Sequence, residues 1–281
     1  MKRAIYINAN QGYDRFQSEL TWARDAGFLA VGISVEGLGY KANAEETVKR
    51  CRALLDEYGM ICTQTHLQVY GLECSSVNIP ELDACINREI ALSAMLGAPA
   101  CVYHPRTAMS YNYDRELSYK HNCEAFKPFL ATAEKSDILF AVEYCPIHPD
   151  CPHYRFYASD PDDLCELVDT FQGAPIGVCW DTGHANLMSF DQARAIKKLG
   201  ARIVCTHVSN NFRERDWHLL PFYGWLDWKS VMAAFREIGY DRDLTLEVRM
   251  PDDDRLYPSF FRLAFDSVTI LADMLSDNAT K

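Results

Sequence analysis

The chain has 281 residues, 48% of them hydrophobic, and 39 acidic side chains against 28 Lys and Arg give a net charge of −11. That length supports one large core without division into domains, and the acidic balance disfavours nucleic acid or an anionic membrane as partner, since both need a positive surface. No apolar run is long enough to span a bilayer, and the N-terminal MKRAIYINANQGYD lacks the apolar core of a secretion leader, so a cytoplasmic protein is expected. The eleven cysteines include no CxxC pair, which removes a zinc ribbon or thioredoxin-type motif. Several of them (Cys62, Cys101, Cys179, Cys205) sit in apolar runs, where a reduced thiol behaves as a small hydrophobe.

In chain order, a short β-rich run recurs after a polar-apolar helical segment, and most of those segments end in glycine. RAIYIN opens the series as the first strand. Gly27 precedes FLAVGISV, Gly59 precedes MICTQTHL and Gly97 precedes APACVYH. Ser136-Asp137 replaces glycine before ILFAVEY, and then Gly173 precedes APIGVCWD, Gly200 precedes ARIVCTHV and Gly239 precedes YDRDLTLEV. The intervening segments carry apolar residues at helical spacing, such as Phe16, Leu20 and Ala23, or Val231, Ala234, Phe235 and Ile238. Ser159-Asp160-Pro161 before DDLCELVDTF predicts a helix start, combining an oxygen cap, a proline already set in φ and acids at the positive end of the dipole. The unit is roughly 35 residues, a strand plus a crossover helix, and about eight units close a (β/α)8 TIM barrel. A doubly wound open sheet is the competing architecture, but no GxGxxG follows the first strand. Residues 1–275 are therefore expected to form one TIM-barrel catalytic domain, with 276–281 as a C-terminal tail.

Metal-capable side chains fall at successive strand ends: His66, His104, Glu143, Asp181, His207 and Glu247. In a barrel these positions surround one mouth. Glu143, Asp181, His207 and Glu247 together would repel and desolvate one another without a cation, so a divalent metal is the natural compensation. An oxygen-rich set with one imidazole suits Mn²⁺ or Zn²⁺, with Mg²⁺ and Co²⁺ also compatible. The longest connections, Cys145 to Tyr157 and Ser209 to Leu226, are expected over that mouth, where His148, His153, Tyr154 and Arg155 would form a lid or simply an ordered, proline-stiffened loop. Trp180, Trp217, Trp225 and Trp228 are candidates to line it.

These motifs resemble the xylose-isomerase-like TIM-barrel superfamily in its sugar phosphate isomerase/epimerase branch. GVCWDTGHANL, THVSNN with Arg213 beyond it, and DWHLLPFYGWLDWKSVMAAFREIGYDRDLTLEV carry the resemblance. It implies a metal-dependent isomerase or epimerase of a small ketose or its phosphate, in a homo-oligomer. Glu143 and Glu247 would exchange a proton through an enediolate, and His66, His104, His184, Arg213, Asp216 and His218 would bind substrate or further metal. The same superfamily includes the type IV apurinic endonucleases, and nine residues here (His66, His104, Glu143, Asp181, His184, His207, Asp216, His218, Glu247) match their three-zinc ligand set. The resemblance therefore also admits a trinuclear zinc phosphodiesterase, or a sugar dehydratase. The chain departs from the family at Pro221-Phe222-Tyr223-Gly224, where a first glycine is usual. It departs again at Tyr144-Cys145-Pro146, where ketose epimerases tend to carry a further acid soon after the strand-five glutamate.

Overall fold

The computed structural model describes residues 1–69, 79–108, 113–147 and 155–276. Eight parallel strands close on themselves in sequence order: β1 Arg3–Asn8, β2 Ala30–Ser34, β3 Ile61–His66, β4 Ala100–Tyr103, β5 Leu139–Glu143, β6 Ile176–Asp181, β7 Ile203–Val208 and β8 Leu244–Leu246. The helices are α1 Tyr13–Ala26, α2 Ala44–Tyr58, α3 Pro80–Met95, α4 Arg115–Lys135, α5 Pro161–Thr170, α6 Thr182–Leu187, α7 Gln192–Leu199, α8 Trp228–Glu237 and α9 Tyr257–Leu275. The open-sheet alternative is excluded by pairing of β1 with β8, where Ala4 lies opposite Thr245. Most of the expected tail and of the expected lid, including His148, His153 and Tyr154, lies outside the described residues.

Local chemistry sets the element ends. Gly27 closes α1 at φ 114°, a value that is strained for any residue with a Cβ. Asp160 caps α5 by accepting from the Asp162 backbone N–H, with Pro161 at the first helical position, a device worth about 1 kcal/mol.

Strand alternation sorts the side chains into two cores. Phe140, Val142, Val178, Trp180 and Leu246 point outward into the shell shared with Phe16, Leu20 and Phe235 of the helices. Ala100, Val102, Ala141, Cys179 and Cys205 point inward and form a separate small-residue cluster inside the barrel. Because side chains repeat their face every second residue, the next inward positions above Val102, Ala141, Cys179 and Cys205 are His104, Glu143, Asp181 and His207. A floor of small, apolar side chains thus leaves room at the C-terminal end for larger polar ones. The nine described cysteines are all free thiols, and burial pushes Cys62 up to about 12.

The same alternation corrects one expectation. Trp180, one residue before Asp181, faces the helices, is fully buried and packs on Tyr144 at 4.8 Å between ring centroids. Trp228 is buried as well, whereas Trp217 and Trp225 are exposed.

Candidate metal centre

Glu143 and Asp181 end β5 and β6, His207 is the penultimate residue of β7 and Glu247 follows β8, and one ligand atom from each lies within 4.8 Å of the others. Glu247 is one residue past β8, but its N–H still donates to the Val208 carbonyl at 3.2 Å, so the ladder holds its backbone in register. His207 Nδ1 lies 3.2 Å from Glu143 Oε2 and 3.1 Å from Glu247 Oε2.

Four buried atoms here have no hydrogen-bond partner: Glu143 Oε1, Asp181 Oδ2, His207 Nδ1 and Glu247 Oε2, one from each of the four residues. Buried polar atoms are rarely left unsatisfied, because each such group costs about 1–3 kcal/mol. Their other atoms are engaged. Asp181 Oδ1 caps α6 by accepting from the His184 N–H at 2.7 Å, which leaves Oδ2 free to turn inward. His207 Nε2 pairs with the Tyr6 hydroxyl at 3.2 Å, leaving Nδ1 for the centre. The donor set and its orphaned atoms fit a divalent cation.

Two further groups flank this one. His66, His104 and Glu143 form the first, with both imidazole Nε2 atoms near Glu143 Oε2 at 3.2 and 3.1 Å. His184, Asp216 and His218 form the second, with Asp216 Oδ2 at 3.1 Å from His184 Nε2 and 2.9 Å from His218 Nε2. His218 adopts φ 47° and its Nδ1 pairs with the Glu247 carbonyl at 3.0 Å, docking the β7–α8 connection onto the end of β8.

The electrostatics express the same demand for positive charge. Burial disfavours charge on Glu143, yet beside His207 and His104 it is held well below the usual carboxylate range. Against burial, Glu143 and Glu36 lift His66 to about 10, and Asp216 and Glu247 lift His218 to about 10. Asp181 is instead pushed up to about 7, by burial first and by Glu143 and Glu247 next, although His184 opposes the rise. The carboxylates thus raise the imidazoles and Asp181 toward their protonated forms. A bound cation would replace those protons and release them.

Arg213 stands apart from these groups. It sits at φ 67°, its Nε contacts Asn186 Oδ1 at 3.3 Å, and it lines a cavity of about 190 Å³ with Asp191, Gln192 and Asp227. Arg155 stacks on Tyr113 at 4.3 Å. Phe222, where the resembled loop usually carries glycine, takes φ 72°, a left-handed conformation that strains a residue with a Cβ. Three contributors were not singled out from the sequence. Tyr6 contacts His207, Gln64 Nε2 donates to the Tyr6 hydroxyl at 3.2 Å, and Glu36 Oε1 lies 3.2 Å from His66 Nδ1.

The family model described as "Xylose isomerase-like TIM barrel" matches residues 20–260. The chain belongs to that family. Among curated relatives, a Sinorhizobium fredii protein, y4fM, is 28% identical over 173 residues, covering 59% of this chain and 52% of that protein. A D-psicose 3-epimerase of Enterocloster bolteae is 24% identical over 154 residues, 54% of this chain and 47% of that enzyme. The chain thus spans about half the length of these relatives. A crystal structure of D-psicose 3-epimerase in the presence of D-fructose superposes with a TM-score of 0.78 at 14% identity, covering 98% of this chain and 99% of that one. At that identity the likeness shows the fold. Among the described residues no helix is long and apolar enough to cross a membrane.

Proposed function

We propose that this protein is a divalent-metal-dependent epimerase or isomerase of a small ketose or ketose phosphate. The observation that carries the reading is the set of four orphaned buried atoms, one each on Glu143, Asp181, His207 and Glu247, at the C-terminal mouth of the barrel. A relative and a structural neighbour that bear the name D-psicose 3-epimerase support ketoses as the substrate class.

A divalent ion bound by these four residues would supply Lewis acidity to a ketone carbonyl and the adjoining hydroxyl. The remaining work falls to the chain. Glu143 and Glu247 both approach His207 Nδ1, at 3.2 and 3.1 Å, so two carboxylates border one small volume. One removes the proton from the carbon next to the carbonyl, and the other returns it on the opposite face or to the neighbouring carbon. The one that abstracts is ionised, because the surrounding imidazoles hold Glu143 and Glu247 low against burial, and the one that delivers first takes up a proton from solvent, while the abstracting group later releases its own there. His66 and His104 offer ring nitrogens to the sugar hydroxyls.

The test is exchange of substrate hydrogen with D₂O, read by NMR on ketopentoses, ketohexoses and their phosphates with the metal-loaded protein. Deuterium is expected at the carbon beside the carbonyl, and Glu143→Gln or Glu247→Gln should slow its entry by about 10²–10⁴-fold. Undiminished exchange in both variants would remove the two glutamates from proton transfer.

A second reading, a trinuclear zinc hydrolase of phosphodiesters, is favoured by one observation: the groups around His104 and His218 complete three adjoining ligand sets. The net charge of −11 weighs against a nucleic acid substrate. Cleavage of an abasic-site DNA duplex, together with about three zinc ions per chain, would select it.

A further inference from the structure

Cys145 lies two residues past β5 and is fully buried. Its Sγ, a Glu143 oxygen and a His184 ring nitrogen all fall within 4.8 Å of one another, and among the described residues it is the one cysteine in such a ligand group. The geometry points to a thiolate metal position on the His184 side of the centre, in which Glu143 Oε1, Cys145 Sγ and His184 Nδ1 hold a zinc-like ion. The inference rests on the divalent-metal reading above.

The two oxygens of Glu143 are divided between neighbours. Oε2 meets His66, His104 and His207 at 3.2, 3.1 and 3.2 Å. Oε1, one of the four orphaned atoms, lies 3.1 Å from His184 Nδ1, which is itself 3.8 Å from Asp181 Oδ2, and is buried with no hydrogen bond. Glu143 is therefore placed to bridge the four-residue site and a second ion.

His184 is divided in the same manner. Its Nε2 faces Asp216 Oδ2 at 3.1 Å. With the ring proton on Nε2 and donated to that carboxylate, Nδ1 presents a lone pair toward Glu143 and Cys145. This is the carboxylate–histidine–metal arrangement by which an outer acid fixes the tautomer and raises ligand basicity. Asp216 then acts behind His184, rather than as a ligand beside it. The cost is one hydrogen bond, from His184 Nδ1 to the Tyr144 carbonyl at 3.0 Å, which an ion at this position replaces.

A thiolate changes which ions are preferred. Oxygen-rich sites accept manganese or magnesium, whereas sulfur selects zinc, cobalt or cadmium. Binding exchanges the Cys145 S–H proton for a metal–sulfur bond and releases that proton to solvent, with no change in oxidation state.

Cobalt reports the bond directly. The metal-stripped full chain is titrated with Co²⁺ under reducing conditions, and absorption is followed in the visible, for ligand-field bands, and in the near ultraviolet, for thiolate-to-cobalt charge transfer. Both bands are expected in the wild-type protein, and Cys145→Ser should lose the charge-transfer band while keeping the visible ones. Zinc-edge X-ray absorption on the wild-type protein should show a sulfur neighbour at about 2.3 Å, which reads the same bond even where the variant fails to fold. Visible bands without charge transfer would leave the metal reading standing and overturn the role of Cys145. No cobalt binding at all would overturn both. A charge-transfer band that survives in Cys145→Ser would place the sulfur on another cysteine and overturn the assignment.

Discussion

At the scale of single residues, the orientation of His207 depends on Tyr6. The imidazole has two nitrogens, and the Tyr6 hydroxyl occupies Nε2 at 3.2 Å, which turns Nδ1 toward Glu143 and Glu247. Gln64 in turn donates to Tyr6 and to the Thr206 carbonyl, at 3.2 and 3.3 Å, so the hydroxyl is itself held. Removing an outer partner of this kind typically weakens metal binding by about 10–100-fold. Tyr6→Phe should therefore raise the dissociation constant for Mn²⁺ or Zn²⁺ by that factor, measured by chelator competition, with the fold intact by circular dichroism. An unchanged constant would mean that packing alone orients His207. The strand-end acids and histidines were legible in the sequence, because each stands last in an apolar run of strand length. Tyr6 was not, since an aromatic residue inside RAIYIN reads equally well as core, and only the closure of β1 against β8 carries it across to β7. Arg213 was singled out from the sequence for substrate or further metal, and its place in the structure depends on its own backbone. It follows THVSNN closely in sequence, yet the left-handed turn at its own backbone carries it to Asn186.

At the scale of elements, α3 holds the loops behind His66. The buried Glu89 carboxylate accepts from the Gly39 N–H at 3.2 Å and from the Gln68 N–H at 2.6 Å, tying the connections after β2 and β3 to one helix. Burial is the main cause that lifts Glu89 from 4.5 to about 7. An acid with a raised folded value binds its proton more readily in the native state than in the unfolded one. Its stabilising contribution is thus full below pH 4.5 and is lost as pH rises toward 7. The unfolding free energy of the wild-type protein relative to Glu89→Gln, from urea titration, should therefore fall by roughly 1–3 kcal/mol from pH 5 to pH 7.5. A difference that stays constant with pH would show that Glu89 is not protonated in the native state.

The strands themselves were readable because helix-ending glycines punctuate the chain, as at Gly27 and Gly59, and β-branched runs follow. The inward or outward sense of Trp180 was not. It depends on counting back from Asp181 with a period of two, and a tryptophan beside a catalytic-looking acid invites the wrong face.

At the scale of the whole molecule, a chain with net charge −11 gathers Glu143, Asp181 and Glu247 in a buried mouth beside the imidazoles of His66, His104, His184 and His207. The barrel makes that arrangement possible, since eight strand ends converge while outward side chains and helices supply the stability. It also explains the limit of the sequence: convergence follows from the fold, but the division of Glu143 between neighbours follows from rotamers, which no spacing reports. The account stands or falls on whether a cation completes the set. Elemental analysis of protein purified without added metal or chelator should find at least one divalent ion per chain, and Glu143→Gln with Asp181→Asn should abolish it. A folded protein with no stoichiometric metal, and none gained on dialysis against Mn²⁺, Co²⁺ or Zn²⁺, would contradict it.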